Sequence, residues 1–140
     1  METGLRNRVA IVAASSQGIG RAAVQGFAAE GCHIAMCARS QPALQQAAER
    51  IQQQYNVRVL AEAFDVTDAG AVRDFVNSVV SRFGSADICV TNAGGPPAKG
   101  FLATNHDGRP AFTTDKIFCG LIGQSARLSR GIEQHVILLN

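Results

Sequence analysis

Four short apolar runs alternate with three segments whose apolar residues fall three and four positions apart, and this alternation limits the fold more than any other feature of the chain. Arg8 to Ala14, His33 to Ala38, Val57 to Phe64 and Asp87 to Thr91 read as strands. Ile19 to Glu30, Ala43 to Tyr55 and Ala69 to Phe83 read as helices. Gly31 is placed to end the first helix in a left-handed turn. Ser40 is the expected N-cap of the second, with Pro42 in its first turn. Thr67 or Asp68 caps the third, and Gly84-Ser85 breaks it. Strands separated by helices make βαβ units, hence a parallel sheet with right-handed crossovers. In such sheets a ligand lies beyond the carboxyl ends of the strands, where the strand order reverses. That rule puts the chemistry at Ala14 to Gly20, Arg39, Asp65 and Asn92.

Composition narrows the class. A chain of 140 residues is about one domain, and 46% hydrophobic residues supply a real core. A formal net charge of +2 is too small to point to nucleic acid or an anionic membrane surface. No apolar run reaches the about 18 residues of a transmembrane helix, and Met1 to Arg8 is too polar for a signal peptide. Cys32, Cys37, Cys89 and Cys119 form no Cys-x-x-Cys pair, so reduced thiols in a cytoplasmic protein are expected. His33, His106 and His135 are scattered and make no metal-ligand pattern.

The most informative stretch is Ala13-Ala14-Ser15-Ser16-Gln17-Gly18-Ile19-Gly20, set between the apolar strand Val9 to Val12 and the first helix. A helix that starts in such a turn aims free N–H groups and the positive end of its dipole at one point. Small residues let an anion approach, so the expected guest is a phosphate, above all the pyrophosphate of a dinucleotide. A lone Gly-x-Gly also serves turns that bind nothing, so its weight depends on the motifs that follow.

Ala-Ala-Ser-Ser-Gln-Gly-Ile-Gly, Cys-Ala-Arg, Phe-Asp-Val-Thr-Asp and Thr-Asn-Ala-Gly-Gly occur in the order and spacing of the short-chain dehydrogenase/reductases. From Arg6 to Phe101 the chain resembles that family, most of all its bacterial 3-oxoacyl-[acyl-carrier-protein] reductase-like members. The resemblance implies an α/β, three-layer, Rossmann-like doubly wound parallel sheet of about five strands, truncated relative to the family. It implies one incomplete NAD(P)-binding domain over residues 1–140, with 102–140 a poorly matched segment. Ser15, Ser16, Gln17, Gly18, Ile19 and Gly20 would form the pyrophosphate turn. The family has Thr-Gly where this chain has Ala13-Ala14; a positive φ at Ala14 would cost roughly 1 kcal/mol. Arg39 follows the second strand, where an NAD-specific site places a carboxylate for the ribose 2′-hydroxyl. A guanidinium there suits a 2′-phosphate, so NADP(H) is expected over NAD(H). The competing reading is a surface arginine paired with a glutamate. Asp65, with Val66, resembles the pair that holds the adenine; the alternative is an N-cap for the third helix. Asn92-Ala93-Gly94 resembles the segment that braces the central strand beside the ribose; the alternative is a plain turn.

Beyond Phe101 the pattern weakens. Phe112 to about Arg130 reads as a fourth helix weakened by Gly120 and Gly123, and His135 to Leu139 as a fifth strand. An outer edge on that strand, or the fourth helix, would promote self-association. The family reduces carbonyls with a serine after the fifth strand and a Tyr-x-x-x-Lys pair. This sequence has one tyrosine, Tyr55, and no Tyr-x-x-x-Lys. The expectation is therefore an NADP(H)-dependent carbonyl or 3-oxoacyl reductase by lineage, with no catalytic residues of its own and inactive alone. Three alternatives stand beside it: a nucleotide-binding or interaction module pairing with a full-length relative, a structural remnant without a ligand, and an enzyme using His106, Asp107 or His135 as substitute acids.

Overall fold

The structure is a computed structural model that describes residues 3–16, 18–66 and 68–90 and the backbone of 91 and 135–138. Its elements are β1 (Val9–Ala13), α1 (Gly18–Ala29), β2 (His33–Ala38), α2 (Gln41–Tyr55), β3 (Val59–Ala63), α3 (Ala69–Phe83), β4 (Ile88–Thr91) and β5 (His135–Leu138). The five strands form one sheet in the order β3-β2-β1-β4-β5, every pair parallel. Ala13 lies opposite Cys37, Ala38 opposite Ala63 and Val12 opposite Val90. The chain steps outward from β1 to β3 and then returns to β4 on the other side of β1. Strand order therefore reverses between β1 and β4.

Alternation along β1 shows why its whole run is apolar. Ala10 and Val12 enter a core with Val24 and Ala28 of α1 and Leu44, Ala47, Ala48 and Ile51 of α2. Val9, Ile11 and Ala13 enter a second core with Val72, Phe75, Val76 and Val79 of α3. Both faces of the sheet are covered, so strands need apolar side chains on both sides, as parallel sheets do. Phe75 is the largest fully buried side chain among the described residues, and its ring centre lies 5.2 Å from that of Phe64. Truncating Phe75 to alanine removes the anchor of α3 at about 3–5 kcal/mol.

The expected elements form, with edges shifted by one to two residues. β3 is shorter than Val57 to Phe64, although backbone bonds continue past it: Ile34 N–H donates to the Arg58 carbonyl at 2.9 Å and Phe64 N–H to the Ala38 carbonyl at 3.0 Å. Gly31 has the left-handed φ of 84°, and Gly84 ends α3 with φ 83°, its N–H donating to the Val80 carbonyl at 2.8 Å. Asp68, not Thr67, is the N-cap of α3; its carboxylate accepts from Gly70 and Ala71 N–H at 3.0 and 3.1 Å. Ser40 occupies the N-cap position of α2, but its side chain makes no capping bond. The fourth helix expected from Phe112 lies outside the described residues.

At the amino ends of the strands, buried Asp87 joins β1 to β4. One carboxylate oxygen accepts from Val9 N–H at 2.8 Å and from the Ser85 hydroxyl at 3.2 Å, and the other lies 3.9 Å from the Arg8 guanidinium.

Candidate functional site

The carboxyl ends of β1, β2 and β3 carry the residues singled out by sequence. After β1, Ala14 takes a left-handed φ of 50°, the conformation for which the missing glycine would be suited. Ser15 is fully buried; its N–H and hydroxyl both donate to the Cys37 carbonyl, at 3.2 and 3.4 Å. Its side chain thus faces the end of β2 and belongs to the scaffold of the turn. Ser16 is half-buried.

Two glycines then do different work. A Cβ on Gly20 would stand 2.3 Å from the Ala14 carbonyl oxygen, so the start of α1 lies directly against the turn. Gly18 has φ 62° and no atom within 4 Å of a built Cβ, which leaves open space at the helix N-terminus. Ile19 between them is 58% exposed, the one large hydrophobic side chain so exposed among the described residues. A glycine-lined opening before a free helix end is the geometry that admits a phosphate. Gln17 lies outside the described residues, as do Asn92, Ala93 and Gly94.

Ends of β2 and β3 complete the site. Phe64 N–H bonded to the Ala38 carbonyl brings Arg39 and Asp65, the next residues on each strand, to one sheet edge. Arg39 is exposed and forms no ion pair among the described residues. Asp65 is exposed, and its carbonyl accepts from Asp68 N–H at 3.0 Å. Because Asp68 caps α3, the N-cap alternative for Asp65 does not hold. Val66 is half-buried against the α3 core, which sets the direction of this loop. A separate cavity of about 340 Å³, lined by Gln41, Leu44, Gln45, Ala61, Glu62 and Ala63, lies at the outer edge of β3, away from the β1–β4 reversal.

Sequence reasoning did not find two contributors. Cys37 reads as a core apolar residue, yet its carbonyl accepts from Ser15 in the turn after β1, its sulfur lies 4.0 Å from the Val12 carbonyl oxygen, and burial pushes its thiol up to about 12. Asp87 reads as the first residue of a strand, whereas it is the buried tie between β1 and β4. A lone acid at the head of an apolar run is the only signal for the second. Among the described residues no cluster of His, Cys, Asp and Glu could hold a metal ion.

A family model described as short chain dehydrogenase matches residues 8–110, and the chain belongs to that family. Sorbose reductase of Candida albicans is 39% identical over 90 residues, which cover 64% of this chain and 32% of that protein. A probable NADP-dependent mannitol dehydrogenase of Yarrowia lipolytica is 36% identical over 92 residues, 66% of this chain and 33% of its own length. The structure of L-sorbose reductase from Gluconobacter frateurii, solved with NADPH and L-sorbose, superposes with a TM-score of 0.86 at 32% identity. That match covers 99% of this chain and 54% of that one, so the chain spans about half the length of this relative. The fold is thus the parallel sheet that the βαβ pattern predicts and the Rossmann-like architecture that the resemblance implies.

Proposed function

We propose that these residues bind NADP(H) at the carboxyl ends of β1, β2 and β3, as the cofactor half of a carbonyl-reducing oxidoreductase. Ser16, Gly18, Ile19 and Gly20, with Gln17, would hold the pyrophosphate through backbone N–H groups. Arg39 would take the 2′-phosphate, and Asp65 and Val66 the adenine, with Asn92, Ala93 and Gly94 beside the ribose. The observation that carries this reading is an exposed guanidinium with no acidic partner among the described residues, set one strand away from an open glycine turn. When bound, the cofactor supplies hydride; the protein residues named here bind and orient it.

The names of the relatives favour a ketose or polyol as the substrate of the lineage over a 3-oxoacyl thioester, since they act on sorbose and mannitol by name. These 140 residues alone are proposed to bind without turnover, because their one tyrosine, Tyr55, packs on α2 against the core and no Tyr-x-x-x-Lys occurs. Pairing through the outer edge of β5 and residence in the cytoplasm complete the proposal. The support is the terminal place of β5 in the sheet among the described residues and the buried thiols of Cys32, Cys37 and Cys89, which form no disulfide among them.

Calorimetric titration with NADPH and NADH tests the reading. NADPH should bind more tightly, and Arg39→Ala should erase the difference by weakening NADPH roughly 30-fold, the worth of about 2 kcal/mol of charge-assisted hydrogen bonding. Equal affinity in the wild type refutes the role of Arg39, and no binding of either cofactor refutes the site. NADPH oxidation with L-sorbose or fructose should be absent; activity that survives purification overturns the claim of binding without turnover.

A further inference from the structure

We propose that the outer edge of β3 takes an extended peptide as a further strand, with a carboxamide side chain of that peptide in the cavity beside α2 and a basic side chain next to Glu62. The site is separate from the glycine turn and does not depend on the NADP(H) reading. Register shows which main-chain groups are on offer. In a parallel ladder the N–H and C=O of one residue point to the same side, and successive residues alternate. Ile34, opposite Val59, donates to the Arg58 carbonyl at 2.9 Å, and Phe64 N–H donates to the carbonyl of Ala38, opposite Ala63, at 3.0 Å. Arg58, Leu60, Glu62 and Phe64 therefore turn their main-chain groups to β2, and Val59, Ala61 and Ala63 turn theirs to the outer edge. β3 is the terminal strand of the described sheet, and those outward groups make no hydrogen bond among the described residues. An edge of this kind accepts another strand through main-chain hydrogen bonds.

Side chains give this edge a preference. Gln41, Leu44 and Gln45 share one face of α2 and meet Ala61 and Ala63 around the cavity of about 340 Å³. Ala61 packs toward the α2 core, whereas Leu60 and Phe64 pack toward the α3 core. Alternation then puts Ala63 with Ala61 on the α2 face and Glu62 on the other. On the α2 face the carboxyl half of β3 supplies only methyl groups, which leaves the cavity its room. Leu44 gives it an apolar part, and the two glutamines give it polar walls, one of them held where Gln45 Nε2 donates to Glu49 Oε1 at 3.1 Å. A glutamine side chain, with an apolar stem and both a donor and an acceptor at its tip, matches that lining. On the opposite face Glu62 is half-buried and forms no ion pair among the described residues. Side chains of an incoming strand alternate as well, so a residue next to the glutamine faces Glu62, and a lysine or arginine there complements its charge.

Titration of the whole 140-residue chain, ¹⁵N-labelled, with the capped peptide acetyl-Thr-Val-Lys-Gln-Lys-Val-Thr-amide tests this. Binding should slow solvent exchange of the Ala61 and Ala63 amides and leave those of Leu60 and Glu62, which already face β2, as they were. Replacing both lysines of the peptide by glutamate should weaken binding about tenfold, and Glu62→Lys in the protein should invert that preference. Two isomers of the peptide, N-methylated either on the lysines or on the glutamine and valines, should differ roughly tenfold in affinity, because only one of these sets of N–H groups faces β3. Equal affinity of the two isomers overturns the inference, as does equal affinity for the lysine and glutamate peptides. A glutamate that only guards the edge against pairing predicts that no peptide binds, and that result overturns it too. So does slow exchange of the Ala61 amide that grows with protein concentration in the absence of peptide, since a second copy would then occupy the edge. The N-methyl comparison is made on the wild-type chain, so the test stands even if Glu62→Lys does not fold.

Discussion

Gly18 and Gly20 stand two residues apart on the same turn, and the structure assigns them opposite vulnerabilities. A methyl group on Gly20 would lie 2.3 Å from the Ala14 carbonyl oxygen, 2.9 Å from its carbonyl carbon and 3.0 Å from the Ser15 Cα. All three neighbours are backbone, so no rotamer change relieves them. Restoring an ordinary contact of 3.4 Å means parting the start of α1 from the end of β1 by roughly 1 Å. α1 carries Val24 and Ala28 into the core, so that shift also opens a gap beneath it. Overpacking of this kind costs about 1–3 kcal/mol, and rigid neighbours put Gly20→Ala at the upper end, near 3 kcal/mol. For a domain of this size the unfolding temperature should drop by roughly 10 °C. Gly18→Ala meets nothing within 4 Å and bears only the strain of φ 62°, roughly 1 kcal/mol, or about 3–5 °C. Its methyl group would, however, enter the space proposed for a phosphate. Thermal unfolding followed by circular dichroism, beside NADPH titration well below both transitions, separates the two. Gly20→Ala should be the less stable variant, and Gly18→Ala should lose more affinity per degree of destabilisation. A Gly20→Ala protein as stable as Gly18→Ala would refute the close approach of helix and turn.

Three further outcomes are expected at the opposite end of the sheet and in the core. Asp87→Ala leaves Val9 N–H without its buried acceptor and should cost about 2 kcal/mol in urea unfolding, with NADPH affinity unchanged because the carboxylate lies at the amino ends of the strands. His33 accepts from Arg58 N–H at 3.2 Å and stacks on Phe83 with ring centres 6.0 Å apart, while the Arg58 guanidinium lies 5.1 Å from the same ring. Partial burial first and the Arg58 charge second hold the imidazole below its ordinary value of 6.5. The folded chain thus favours neutral His33; this contribution is intact above pH 6.5 and is lost as pH falls through the folded value. The urea midpoint should fall between about pH 8 and about pH 5, and His33→Asn should flatten that slope; an unaltered slope speaks against it. Burial lifts the thiols of Cys32 and Cys37 to about 11 and about 12, so near pH 8 their modification by Ellman's reagent should track unfolding, and rapid labelling of either, mapped by mass spectrometry, would contradict the packing.

The parts of this molecule that follow from neighbours in sequence were legible, and the parts that follow from register were not. The strand runs are apolar because both faces of a parallel sheet are covered, and the helices show their period because one stripe of each is buried. The strands end one or two residues inside the expected runs, although a hydrogen bond such as Phe64 N–H to the Ala38 carbonyl continues pairing past the ladder proper. Ala14 is an intermediate case. Its positive φ was foreseeable only as a consequence of a resemblance that has glycine there, since nothing in Ala13-Ala14-Ser15 by itself demands it. Ser15 reads as a phosphate ligand from its place in the motif, yet its hydroxyl faces the Cys37 carbonyl 22 residues away in sequence. Cys37 and Asp87 act across strands, on partners fixed by which residue stands opposite which, and no local pattern reports that.

The same distinction bears on what a chain of this extent can do. A turn that holds a pyrophosphate makes the same contacts before and during hydride transfer, so it lowers a dissociation constant without lowering a barrier. Arg39 and Asp65 lie at strand ends that would meet the adenosine end of a dinucleotide, further still from any reacting bond. Rate enhancement needs groups that gain strength as charge develops on the substrate oxygen, and the family places these on a tyrosine and lysine for which this sequence offers no pair. Tight binding and absent turnover are therefore compatible on physical grounds. They make a paired measurement decisive: an NADP(H) dissociation constant near that of a complete relative, beside no ketose reduction, would locate recognition in the β1 to β3 strand ends and chemistry elsewhere. A dissociation constant weaker by several orders of magnitude would instead mean that the turn is shaped correctly only when the remainder of such a relative is packed against it.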